Sequence, residues 1–164
     1  MKTFVCILFV AFFNAHTIEK ATFGGHKLTL HEAERILGES CQLKESVSSL
    51  ENGRHKYTST YLANSTDEKI DRRVALNFMF ESYGAEIDAK KMFGTFKASN
   101  QSYAGFELLP NLGDEAFFHS DNKNFYLIIA RKGNEMIRLK VNKITEKTSL
   151  AELKKIAADV IDRV

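Results

Sequence analysis

Five histidines, two cysteines and the adjacent pair Asp114-Glu115 are the residues of this 164-residue chain best suited to metal binding, nucleophilic attack or acid–base work. His16, His26, His31, His55 and His119 show neither His-x₃-His nor HExxH spacing, and with Cys41 they form no zinc pattern. No metal site is expected, and His55 and His119, at predicted strand ends, should be solvated. Cys41 follows a predicted helix stop at Gly38, where a thiol could be exposed. A nucleophilic cysteine needs a base and a lowered pKa, and the sequence names no base, so a packed or inert thiol is expected. Neighbours on a strand point to opposite faces. Asp114 and Glu115 should therefore not converge on one substrate: Asp114 should bond turn backbone after Gly113, and Glu115 should be solvated. GxSxG, P-loop and GxGxxG motifs are missing from the sequence. No catalytic residue and no cofactor are expected, and the chain reads as a non-enzyme. Asn64-Ser65-Thr66 and Asn100-Gln101-Ser102 match N-glycosylation acceptors and are read as chance matches.

Binding is the chemistry that remains. Thr58, Thr60, Asn77, Met79, Glu81, Arg138 and Lys140 fall on the polar side of alternating segments. Together they predict an outward sheet face that serves as a platform for a partner protein or a polar ligand. Charges of both signs are interspersed and the formal net charge is only +2. That excludes the basic block nucleic acid would select.

The elements that must carry this face follow from periodicity. Residues 29–38 read as a short helix, with capping-box spacing at Thr29 and Glu32 and a C′ glycine at Gly38. Residues 42–48 and 55–63 read as strands joined by Asn52-Gly53, a strong hairpin signal. The polar stretch 64–73 reads as a loop. In the strand 74–83, Leu76, Phe78 and Phe80 oppose Asn77, Met79 and Glu81. Residues 85–99 change to helical spacing through Ala89, Met92, Phe93 and Phe96. Gly94 weakens that helix and is expected to allow close contact with the sheet. A short strand fragment at 105–109 is stopped by Pro110, and 116–119 is a further strand. Residues 125–131 are apolar on both faces and predict a central strand. The strand 136–141 follows, then a helix from 150 whose capping box is Ser149 and Glu152. The expected order is α-β-β-β-α-β-β-β-α, an α+β fold with a mainly antiparallel sheet and helices packed on it. The two long helices are expected on one face and the short one on the other. The repeated plan hints at an internal duplication, without residue-level identity.

Residues 1–21 read as a signal peptide. Lys2 precedes an apolar run over 4–13 that is too short to span a bilayer. Cleavage near Ala15 and cleavage near Ala21 are both open, and membrane contact is expected only through this segment if it is uncleaved. Residues 22–28 read as a linker and 29–164 as a single domain of usual size. Forty-four per cent hydrophobic residues, with 13 Phe and no Trp, suffice for a Phe-rich core. Removal of the leader takes Cys6 with it and leaves Cys41 without an internal disulfide partner.

Two phrases carry a resemblance. Leu112-Gly113-Asp114-Glu115-Ala116-Phe117-Phe118 enters a strand, and Ile128-Ile129-Ala130-Arg131-Lys132-Gly133-Asn134 ends one. With the element order they resemble small exported or lipoprotein bacterial domains, which are similar in turn to the PsbP-like α/β/α sandwich and to extracellular sensor domains of some actinobacterial kinases. The resemblance implies that sandwich fold and a periplasmic or secreted location. It implies no specific activity. The function expected is an exported, non-enzymatic domain that binds a partner protein or a small ligand. The alternatives are an accessory subunit of an envelope complex and an enzyme with an unrecognised site.

Overall fold

The computed structural model describes residues 28–67 and 72–164. The expected signal segment 1–21 and residues 22–27 of the expected linker lie outside the described residues. Three helices, α1 (Leu30–Leu37), α2 (Glu86–Asn100) and α3 (Leu150–Asp162), accompany seven strands. The strands are β1 (Cys41–Glu51), β2 (Arg54–Asp67), β3 (Arg72–Ser82), β4 (Phe106–Leu108), β5 (Glu115–Ser120), β6 (Tyr126–Lys132) and β7 (Glu135–Val141). The fragment before Pro110 pairs with β5 and counts as a strand, so the second half has four strands rather than the three in the expected order.

Local chemistry sets the element ends. In α1 both halves of the capping box form: Thr29 N–H donates to Glu32 Oε2 at 2.8 Å, and Glu32 N–H donates to Thr29 Oγ1 at 3.2 Å. Gly38 closes the helix with φ 72°, and its missing side chain matters twice. A Cβ there would sit 2.0 Å from the Lys147 carbonyl oxygen. Asn52 and Gly53 both adopt positive φ, 53° and 74°, as a type I′ hairpin turn requires. At α3 only half of the expected capping box forms. Ser149 Oγ accepts the Glu152 N–H, but the Glu152 carboxylate is bonded to Arg35 of α1. It ties two helices together rather than closing its own.

The stretch 64–73 is not one loop. Strand β2 runs to Asp67 and β3 begins at Arg72, with Thr66 opposite Arg73. These polar residues are exposed yet find protein partners: Ser65 N–H donates to Glu39 Oε2 at 3.3 Å, and Lys147 Nζ donates to Ser65 Oγ at 3.1 Å. Polarity alone therefore mislabelled a strand end.

The sheet order is β1-β2-β3-β7-β6-β5-β4, and every neighbouring pair is antiparallel. α2 carries the chain from β3 in the middle to β4 at the far edge. The meander β4 to β7 then returns to pair with β3. One face carries Tyr61, Phe78, Leu139, Ile128 and Phe118, packed with Ile36 of α1 and Ile156 and Val160 of α3. The opposite face carries Phe117, Ile129 and Met136, packed with Ala89 and Phe93 of α2. The long helices thus lie on opposite faces, against expectation, and α1 joins α3. The reason lies in their apolar stripes. Five buried residues on α3 and three on α1 share the wide Phe- and Leu-bearing face, whereas α2 buries only two. Placement of α2 and α3 on opposite faces also removes the two-fold axis that a duplicated antiparallel sheet would have.

Candidate functional site

Cross-strand register places all seven predicted residues on the α2 side of the sheet. Thr58, Met79 and Arg138 form one row across β2, β3 and β7. Thr60, Asn77 and Lys140 form the next, and Lys56, Glu81 and Met136 the one on the other side. α2 rests on the β5–β7 half through Phe117, Ile129 and Met136. On this face no helix among the described residues lies over the β1–β3 half. Asn77 and Lys140 are exposed, and Thr58 and Thr60 are half-buried.

The seven do not behave alike. Glu81, expected outward and wet, is 3 % exposed. Arg54 Nη1 lies 3.4 Å from its Oε1 and Arg138 Nη2 lies 3.6 Å from its Oε2. Tyr83 donates its hydroxyl to Oε2 at 3.2 Å. Burial, then the Glu81 carboxylate, pushes the Tyr83 phenol up to about 12, so it stays a donor at neutral pH. Arg138 is half-buried: its guanidinium lies 4.7 Å from the Phe96 ring centroid and contacts Met79 Sδ. Met79, Glu81 and Arg138 are therefore committed to one another at the rim of α2. Thr58, Thr60, Asn77 and Lys140 are the members of the seven that stay accessible. Thr60 Oγ1 donates to Asn77 Oδ1 at 3.1 Å, and Lys140 Nζ sits 5.5 Å from the Phe125 ring centroid. Arg54, Lys56 and Tyr83 belong to this site and were missed. The two-residue period running back from Thr58 to the Asn52-Gly53 turn already puts Lys56 and Arg54 on its face.

The residues suited to catalysis are locked elsewhere. Cys41 is buried, the packed thiol expected from the sequence, and burial, then the Glu34 and Glu39 carboxylates, pushes it up to about 11. At neutral pH it is a protonated thiol and a poor nucleophile. His119, expected to be solvated, is 8 % exposed. Its Nδ1 is 2.8 Å from Asn100 Oδ1, its ring stacks on Tyr103, and it meets the Phe125 ring edge-on. Asn100, the middle of that contact, also donates to the Phe96 carbonyl.

Asp114 and Glu115 do converge, contrary to the strand argument, because Asp114 lies in the turn before β5. Arg131, 2 % exposed, donates Nη1 to Asp114 Oδ2 and Nε to Glu115 Oε2, both at 3.0 Å. The Gly133 N–H also donates to Asp114 Oδ2 at 2.8 Å, so the backbone that Asp114 bonds is that of the β6–β7 turn and not, as expected, that of its own turn after Gly113. That N–H, then the Arg131 charge, holds the Asp114 carboxyl below its ordinary value against some loss of hydration. The pair neutralises a buried cation and holds the β6–β7 turn against the start of β5.

A groove of about 400 Å³ runs between α2 and the β4–β5 edge, lined by Phe93, Leu108, Leu109 and Pro110, with Lys97 and Glu115 as its charged members. Among the described residues no group of three or more His, Cys, Asp or Glu is placed to hold a metal ion. Among the same residues no helix is long and apolar enough to cross a membrane. No protein-family model, curated protein or solved structure gives a significant match to this chain.

Proposed function

We propose that this chain is an exported, non-enzymatic domain that binds a partner protein across the β1–β3 half of its sheet. One observation carries the reading: α2 covers only the β5–β7 half, and the remaining half of the face presents an ordered polar surface. That surface is rigid, because β2 and β3 are paired along most of their length and packed from behind by the main core. Its Thr, Asn and Lys side chains can form hydrogen bonds without desolvating a buried charge, because Arg54 and Arg138 already neutralise Glu81. The apolar leader over 4–13 supports export. The locked Cys41, His119 and Arg131 support a binding role over a catalytic one. The three-layer arrangement, with helices on both sheet faces, is in keeping with the sandwich that the sequence resembles.

The test replaces Thr60 with a photo-crosslinking amino acid in the native host, with Lys155 on the outer side of α3 as control. A discrete protein adduct from position 60 and none from 155 is the expected result. Equal labelling at both positions, or no adduct at position 60, overturns the reading.

A further inference from the structure

We propose that β1 is the joining edge of a symmetric dimer, pairing antiparallel with β1 of a second copy of this chain. Among the described residues β1 is the outermost strand, 11 residues long, and is paired on one side only, by β2. The opposite edge, β4, has three residues. Native sheets blunt long edges with proline, cover, bulges or charges. β1 contains no proline, and its only register shift lies between Leu43 and Glu45. The segment 45–51 is left regular, is uncovered on both faces among the described residues, and bears Val47 at 46 % and Leu50 at 64 % exposure.

Backbone geometry says which groups are available. Antiparallel pairs alternate between hydrogen-bonded and non-hydrogen-bonded positions. Glu51 and Arg54 flank the two-residue turn and form a hydrogen-bonded pair. Ser49, Val47 and Glu45 therefore bond toward β2, and Leu50, Ser48 and Ser46 present N–H and C=O outward. A two-fold axis normal to the sheet pairs these outward groups and keeps equivalent faces on the same side.

The charges select the register. With the axis at Val47, this residue meets its own copy, Ser46 meets Ser48 and Glu45 meets Ser49. Moving two residues one way sets Glu45 against Glu51 twice; moving two the other way sets Val47 against Glu45. A slip of one residue opposes side chains from different faces and is excluded. The strand is thus most self-complementary in the first register, where no like charges face and Val47 packs on its own copy instead of on a carboxylate. One strand pair is a small interface, so the dimer dissociates on dilution. In it the uncovered half-faces adjoin. Six strands, spanning about 24 Å at the usual spacing, lie between two α2 walls. The value of that wider platform for a partner rests on the function proposed above.

The experiment uses the chain as recovered from the expressing host. Sedimentation from roughly 1 µM to 1 mM is expected to show a reversible monomer–dimer equilibrium. Val47→Lys puts like charges on the axis and should weaken dimerisation at least tenfold, with an unchanged circular dichroism spectrum because Val47 is exposed. In a Cys6→Ser background, Val47→Cys should form an intermolecular disulfide in a glutathione redox buffer, and Ala151→Cys on α3 should not. A monomer over the whole range, a dimer indifferent to Val47→Lys, or equal bridging at 47 and 151 overturns the proposal. The crosslink at position 60 separates the two readings. A monomer that still gives that adduct removes the dimer alone, and a dimer without the adduct removes the platform alone.

Discussion

Glu81 is patterned as a surface residue and behaves as a buried one. Its strand period points it away from the main core, yet Arg54, Arg138 and Tyr83 close over it. The Nε atoms of both arginines are buried and lack a hydrogen-bond partner among the described residues. Glu81 is the carboxylate that both guanidinium groups share, with Glu51 as a second partner of Arg54. Glu81→Gln keeps the shape and removes the charge. It should cost about 1–3 kcal/mol, read as a lower urea midpoint with an unchanged slope. Asp121 behaves differently because it is exposed. Backbone N–H donors of Asn124, Lys123 and Phe125 and the Asn124 side chain all reach its carboxylate, at 2.6, 3.1, 3.4 and 2.6 Å. The Asn124 N–H and then its side-chain amide hold the carboxyl well below the ordinary carboxylate range. The folded pKa is thus lower than the unfolded one. The stabilisation is present above the unfolded pKa, about 3.9, and is lost as pH falls through the folded value. Asp121→Asn should be the less stable protein at neutral pH, and the gap should close as the pH drops below 4. Thermal melts of both proteins across that range check it.

Among the elements, α2 combines the weakest local signals with a position that sets which half of its sheet face is covered. Its N-cap is Ala85, which offers no side-chain bond, and it buries only Ala89 and Phe93 completely. Gly94 lies in its middle. The expectation that this glycine permits close approach to the sheet is wrong: the residue is exposed, and a Cβ added there meets nothing within 4 Å. It has only its entropic penalty to contribute. Gly94→Ala should therefore stabilise the protein by about 1 kcal/mol, a rise of roughly 2–4 °C in Tm for a domain of this size. Calorimetry on the single variant measures it. The helix meets the sheet through Met92, Phe93 and Phe96 instead, and Phe96 marks where cover ends and the open half begins.

At the scale of the whole molecule, the sheet is shielded unequally. β3 and β7 lie at its middle, and the main core packs against both; β1 lies at an edge with little cover on either face. Amide exchange should follow this gradient, slowest for the β3–β7 pair and fastest at Ser46, Ser48 and Leu50. The same three amides should gain protection as protein concentration rises into the dimer range. Exchange measured at two concentrations by mass spectrometry reads both effects, and uniform protection across the seven strands would contradict the gradient.

Most of the fold was written in local chemistry. The hairpin at Asn52-Gly53, the Thr29 and Ser149 caps, the Gly38 stop, the doubly apolar strand near 128 and the polar side of 74–83 all depend on neighbours within a turn or a pleat. Such short-range terms are readable from residue order. The sequence also placed the seven platform residues on one face, because strand alternation is a local property. Tertiary structure decided what local order does not encode. It sent α2 to the face opposite α3, extended β2 through a polar stretch by giving Ser65 and Thr66 partners, and turned Asp114 and Glu115 onto one arginine. It also divided the seven residues, locking Met79, Glu81 and Arg138 together and leaving Thr58, Thr60, Asn77 and Lys140 accessible. Each of these outcomes depends on pairing between different elements of the fold. Burial and charge neutralisation are settled by which surfaces meet, and only the folded chain specifies that.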